Sequence, residues 1–72
     1  MDRAEHLAWS KQRALEYVNQ GDLVNASASM ASDLRKHPDL EDHAGIELMI
    51  MQQFVGLLNT PTEMRRFIEG FN

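Results

Sequence analysis

The chain has 72 residues, no cysteine, and a formal net charge of −4 from eleven acidic and seven basic residues. A disulfide and a thiolate metal site are therefore excluded, and a general nucleic-acid binder is disfavoured because phosphate neutralisation dominates such binding. A chain of this length buries only about 60% of its unfolded surface. We expect one small helical domain, residues 1–72, that depends on close packing or on association with another molecule.

Apolar residues recur at intervals of three and four along the chain, which predicts an all-α fold. The first helix is predicted over residues 2–20, where Gly21 suits a left-handed C-terminal cap. Asp22 is placed to cap a second helix over residues 23–36, and Pro38 blocks its continuation. Because the connection between these two helices is so short, they are predicted to form an antiparallel helical hairpin.

Two further helices are predicted in the second half of the chain. A polar linker, residues 37–43, leads to a third helix over residues 44–58. The stretch Thr60-Pro61-Thr62-Glu63 has the N-cap threonine, first-turn proline and third-position glutamate of a capping box, which predicts a fourth helix over residues 61–70. The expected fold is a small bundle of three main helices and a short C-terminal helix.

The third predicted helix is apolar on two sides. One side carries Ile46, Ile50, Phe54 and Leu57, and the other carries Leu48, Met51, Val55 and Leu58. Such a helix has to be covered twice, either as the central helix of the bundle or by a second molecule. Because so short a chain has few residues for cover, and an exposed side chain of this kind forfeits about 1.5–3 kcal/mol, we favour a homo-oligomer.

Two residues of the first predicted helix depart from a simple amphipathic pattern, in which Leu7 and Val18 belong to the apolar stripe. Lys11 falls inside this stripe, whereas the large apolar residue Trp9 points almost the opposite way, close to Arg13. Because tryptophan is enriched at interface hot spots, we expect Trp9 to contact another chain. The predicted interface consists of Trp9, Arg13, Leu48, Met51, Val55 and Leu58.

Three cations are candidates for binding an anionic ligand such as a nucleotide: Lys11, Arg65 and Arg66. The expected fate of Lys11 is to reach solvent from the edge of the core, with its stem packed and its ammonium wet. An ion pair with a carboxylate of another helix and a shared anion-binding pocket are the alternatives. A nucleotide site would form at a boundary between subunits, where the cations of two copies meet.

The sequence contains no standard catalytic or metal-binding motif. Histidines and carboxylates cluster in the linker 37–43, but there is no HExxH, no EF-hand loop and no closed four-ligand set. No glycine-rich loop can cradle phosphate, and no nucleophile elbow surrounds the serines of the second helix. We therefore expect no cofactor, no metal and no enzymatic activity.

Targeting signals are also missing. The N-terminus lacks the features of a signal peptide, and no stretch reaches the roughly 18 apolar residues of a membrane span. A cytoplasmic protein without membrane contact is expected.

Three segments, LAWSKQRALEYVNQGD, SMASDLRKHP and LNTPTEMRRFIEGFN, resemble a group of small helical proteins encoded by tailed bacteriophages and prophages. The resemblance covers most of the chain, and no catalytic or binding residues are carried over from it. It implies a viral accessory protein that acts in the cytoplasm of a bacterial host. Such a protein would block a host enzyme or defence system by protein–protein contact; a nucleotide-sequestering oligomer and a structural component of the virion are the alternatives.

Overall fold

A computed structural model describes residues 2–72 of the chain. Within these residues it contains four α-helices and no strand: α1 (Arg3–Asn19), α2 (Leu23–Leu34), α3 (Ala44–Phe54) and α4 (Pro61–Glu69). Each helix lies inside its predicted range, so the all-α class is confirmed. In the described part of the chain, every helix is too short or too polar to cross a membrane.

The first helix begins and ends as the sequence predicts. Its N-cap Asp2 accepts a hydrogen bond from the Glu5 backbone N–H at 2.7 Å, and this bond lowers the pKa of the Asp2 carboxyl. At the other end, Gly21 adopts a positive φ of 77° and donates its N–H to the Val18 carbonyl at 2.9 Å. The Asp22 side chain then caps α2. Helix α1 packs against α2.

The third helix ends earlier than predicted because of a glycine that the sequence analysis did not identify as a cap. Gly56 has a φ of 85°, a left-handed conformation that glycine adopts without steric cost. Its N–H bonds to the Gln53 carbonyl at 3.1 Å, and the Leu57 N–H bonds to the Gln52 carbonyl at 2.8 Å. These two bonds form a Schellman cap, which ends α3 at Phe54.

The start of α4 confirms the predicted threonine cap. The Thr60 hydroxyl accepts the Glu63 backbone N–H at 3.2 Å and donates to the Glu63 carboxylate at 2.9 Å. Pro61 occupies the first helical position, where its missing N–H costs nothing. These local contacts fix where the chain leaves the α3–α4 connection.

The hydrophobic core lies mainly between α1, α2 and α4, and α3 is peripheral. Its buried apolar members are Leu7, Ala14, Val18, Ala26, Met30, Ala31, Leu34, Leu40, Ile46, Met49, Leu58, Met64, Ile68 and Phe71. Helix α1 packs most extensively against α2 and next against α4, whereas α3 lies against α2. Of the residues in α3, Ile46 and Met49 enter the core. The alternative in which the third helix is the central helix of the fold is therefore wrong.

The linker between α2 and α3 is held to the rest of the fold at two points. Leu40 is buried in the core. The Nδ1 atom of His43 accepts the Gly45 backbone N–H at 2.9 Å, and its Nε2 atom donates to the Asn72 carbonyl at 2.8 Å. His43 is thus the N-cap of α3 and its link to the end of the chain.

We expect His43→Ala to lower the free energy of unfolding by about 1 kcal/mol, because both hydrogen bonds are lost at an N-cap. His43→Asn should recover part of the loss, since asparagine caps helices well. Thermal unfolding followed by circular dichroism measures both variants, and about 1 kcal/mol corresponds to roughly 4–8 °C for a domain of this size. Equal losses for alanine and asparagine would show that capping is not what His43 contributes.

Candidate binding surface

Six large apolar side chains project into solvent from α3 and the turn that follows it. We call them the α3 surface: Leu48, Ile50, Met51, Phe54, Val55 and Leu57. Their exposed fractions run from 46% to 91%, and Phe54 is the most exposed. Three of them, Leu48, Met51 and Val55, belong to the predicted interface. The structure therefore leaves most of the predicted apolar face uncovered by its own chain.

The α3 surface is continuous because the covered side of the helix is narrow. Ile46 and Met49 pack inward, and Gln53 lies beside them. The Gln53 amide donates to the Leu23 carbonyl at 3.4 Å, and its oxygen accepts the Ser27 hydroxyl. With 3.6 residues per turn, the outward positions follow one another around nearly half of the helix circumference. One broad apolar ridge results, and it replaces the two separate faces expected from the sequence.

Leu58 is a correction to the predicted interface. It is 5% exposed and belongs to the core. Because the helix ends at Phe54, the residues after Gly56 no longer follow the helical period on which the prediction rested. Leu57 takes the solvent-facing position in its place.

The ridge has a depression on each side. Between α2 and α3 lies the α2–α3 groove, about 370 Å³ in volume, which is lined by Val24, Ser27, Ala28, Ala31, Ser32, Arg35 and Ile50. A second depression of about 520 Å³, on the α4 side, is lined by Gln52, Leu57, Leu58, Glu63, Arg66, Phe67 and Gly70. Helix α3 itself carries one charged residue, Glu47. Glu47 lies in the first turn of α3 on the same stripe as Met51 and Phe54. The two depressions beside the ridge carry Arg35, Glu63 and Arg66. Charged residues therefore border the apolar surface, as they do at the rims of interfaces.

Trp9 is held among side chains of its own chain. The Arg13 guanidinium lies 4.8 Å from the centre of the indole ring, and the Lys36 ammonium lies 5.7 Å from it. The His6 ring packs on Trp9 at 5.2 Å and on His37 at the same distance. These contacts leave the indole half-buried. The contact of Trp9 and Arg13 with another chain stays a prediction.

A buried carboxylate that the sequence analysis missed organises this cluster. The Asp33 carboxylate forms an ion pair with the Arg13 guanidinium at 3.1 Å and accepts a hydrogen bond from the Lys36 ammonium at 3.2 Å. The Ser29 hydroxyl is 3.4 Å away, and His6 bonds to the Asp33 backbone carbonyl. The Asp33 carboxylate therefore holds in place both cations that lie next to the indole ring of Trp9. The sequence signal for Asp33 is a carboxylate on the buried side of α2 with Lys36 three residues further along the chain.

Two of the three predicted ligand cations, Arg65 and Arg66, line one shallow depression together with Thr62 and Glu69. The Lys11 ammonium donates to the Glu69 carbonyl at 3.1 Å, and the Arg65 guanidinium donates to the Asn19 side chain at 2.8 Å. Arg66 is exposed and lies beside the depression on the α4 side. Positions 11 and 19 of one helix are about 12 Å apart along its axis. Lys11 instead neutralises the carbonyl end of α4, a favourable place for a cation.

Histidine and carboxylate groups do not converge on a common point. Within residues 2–72, no group of three or more histidine, aspartate or glutamate side chains is arranged to hold a metal ion. Across the same residues, every buried side-chain nitrogen and oxygen has a hydrogen-bond partner. The surface with the least internal explanation is therefore the apolar one on α3.

A scan against protein-family models gave no match, and searches of curated proteins and of solved structures found no similar chain.

Proposed function

We propose that this chain is a small accessory protein, of the kind that tailed bacteriophages and prophages encode, which acts by protein–protein contact in the cytoplasm of a bacterial host. The α3 surface is its binding surface, and blocking a host enzyme or defence system is the expected consequence of binding. One observation carries the proposal. Six large apolar side chains from a single short segment are 46% to 91% exposed.

The energetic argument concerns what these side chains gain on binding. Burying a side chain of this size is worth about 1.5–3 kcal/mol, and contiguous patches of this kind mark interaction sites. A domain of 72 residues has a small free energy of unfolding, so apolar surface that remains exposed to water is a large cost relative to it. Leaving the patch exposed is therefore a cost that binding another molecule removes.

We further propose that the protein is a homo-oligomer and that α1 and α2 form an antiparallel hairpin within a helical bundle. The tight reversal at Gly21 supports the hairpin. So do the contacts of His6 and Arg13 with Asp33, which join the first and middle turns of α1 to the last turn of α2. The α3 surface supports self-association, because a second copy would cover it.

The binding proposal is tested by placing a charge at Met51, in the middle of the α3 surface. Met51→Glu should reduce capture of a binding partner from bacterial lysate at least about tenfold, because a carboxylate would have to be desolvated at an apolar contact. Met51 is 62% exposed in the single chain, so the variant should keep the wild-type circular dichroism spectrum.

The matched control is Gln12→Glu, which adds the same charge at an exposed position of α1. Capture should be quantified for wild type and both variants at equal bait concentration. If Met51→Glu captures as much partner as Gln12→Glu does, the α3 surface is not the binding surface.

A further inference from the structure

The α3 surface has a definite shape as well as an apolar character. Phe54 projects as a knob that is 91% exposed, one helical turn beyond Ile50. Ile50 lines the α2–α3 groove from α3, and Val24 and the small side chains of Ala28 and Ser32 line it from α2. Knob and groove are therefore neighbours on the same chain.

We propose that the α3 surface is occupied by a second copy of this chain, with Phe54 of each copy seated in the α2–α3 groove of the other. This inference rests on the proposed function, in which the α3 surface is the binding surface. A two-fold contact requires the same patch to be complementary to itself, and a patch that contains both a knob and a groove meets that condition. The contact would join α2 and α3 of both copies.

The size of the groove suits the knob. An apolar cavity of about 150 Å³ is enough to hold benzene. The α2–α3 groove measures about 370 Å³, so it accommodates a phenyl ring together with part of the backbone that carries it. The small side chains at Ala28 and Ser32 also allow a second helix to approach the middle of α2 closely.

The area of the α3 surface matches what a stable dimer needs. If each side chain has a full area of about 150–250 Å², the exposed fractions of the six members amount to roughly 550–900 Å². One partner contributes about 800 Å² to a standard interface. A flat partner surface would contact only the most protruding side chains of the α3 surface, whereas a second copy supplies a groove that also encloses the flanks of Phe54. A second copy therefore covers the surface more completely.

The charges at the edges permit this contact despite the net charge of −4 on each copy. Glu47 is the one charged residue of α3, and Arg35 lies at the edge of the α2–α3 groove. In a two-fold contact of α2 and α3, Arg35 of one copy is the cation available to Glu47 of the other. Such rim pairs set orientation more than they add affinity.

The test compares the knob with the groove. We expect sedimentation equilibrium of the wild type to give twice the chain mass of 8.2 kDa. Phe54→Asp and Ala28→Glu, two exposed positions, should each weaken the dimer at least about 30-fold, the range of interface hot spots. Gln12→Glu should leave the mass unchanged. Circular dichroism checks that each variant stays helical.

A crosslinking arm tests the pairing directly, because the chain has no cysteine of its own. Chains carrying Phe54→Cys and chains carrying Ala28→Cys, mixed and oxidised, should form the mixed disulfide in preference to either homodisulfide. A dimer that neither Phe54→Asp nor Ala28→Glu weakens, or one that crosslinks without this preference, would overturn the inference.

A wild type that is monomeric at millimolar concentration also overturns the second copy as occupant. The proposed function fails separately, by the partner-capture comparison of Met51→Glu with Gln12→Glu. A monomeric wild type whose partner capture is lost in Met51→Glu would keep the α3 surface as a binding surface for another protein and would reject self-association, including the homo-oligomer proposed above.

Discussion

Replacing Leu40 with alanine is expected to lower the free energy of unfolding by about 2–5 kcal/mol, the usual cost of truncating a fully buried leucine. Leu40 is 0% exposed although it lies in the polar linker between α2 and α3. Its side chain fills the core, and the linker follows the path that this burial requires. Because small domains are stable by only about 5–15 kcal/mol, the variant should be close to unfolding at room temperature.

The matched control removes the same atoms from an exposed position. Leu48 is 47% exposed on α3, so Leu48→Ala should change the free energy of unfolding by less than about 1 kcal/mol. Urea titrations should be performed at concentrations low enough to keep the chain monomeric, so that association does not contribute. Similar losses for the two variants would mean that Leu40 is not enclosed as the structure places it.

Helix starts and the first helix end were predictable because their causes are local. Gly21, Asp22 and Thr60 act on backbone groups within three or four residues of themselves, and their hydrogen bonds are found where the sequence places them. Gly56 carries the same kind of information as Gly21. The apolar period continues through Gly56 to Leu58, so the periodicity predicts a longer helix than the glycine allows.

The burial of isolated residues depends on the tertiary packing of distant segments, which no local sequence pattern specifies. Leu40 stands alone among polar neighbours, so the linker reads as solvated although the residue enters the core. Asp33 sits on the inner side of α2, and its partner Arg13 lies twenty positions earlier. Sequence spacing alone does not indicate that these two side chains meet.

The sequence predicts that α3 carries an apolar binding surface, but it does not predict all of the residues that form it. Apolar residues on two sides of a helix indicate that more than one side must be covered by other residues. Which side the chain covers itself follows from the position of α3 against α2, through Ile46 and Met49. The peripheral position of α3 therefore decides that Met51 and Phe54 face outward.

Lys11 illustrates a partner that sequence reasoning cannot identify. The alternatives considered for it were solvent, a carboxylate and a ligand. In the structure its ammonium meets the backbone carbonyl of Glu69 at 3.1 Å. Every residue has a carbonyl, so no side-chain pattern singles out this one. It is available because the last carbonyls of a helix lack an internal partner.

Removing the buried carboxylate at Asp33 is expected to be the second large loss of stability. Asp33→Ala should lower the free energy of unfolding by about 1–3 kcal/mol, since the ion pair with Arg13 and the charge-assisted hydrogen bond from Lys36 disappear. The loss is bounded because Arg13 and Lys36 are 45% and 55% exposed, so water solvates both cations once the carboxylate is gone. Asp33→Asn keeps the shape of the side chain and should lose less.

The indole reports this change independently of stability. Asp33 fixes the two cations that lie over the Trp9 ring, so Asp33→Ala should alter the fluorescence of Trp9 in the folded state. Asp42→Ala is the control, because it removes the same charge from an exposed linker position. A double-mutant cycle with Arg13→Ala isolates the pair, and contacting residues should couple by about 0.5–3 kcal/mol. Additive losses together with an unchanged Trp9 spectrum would mean that Asp33 does not organise the cluster, and that the indole is held by packing on His6 alone.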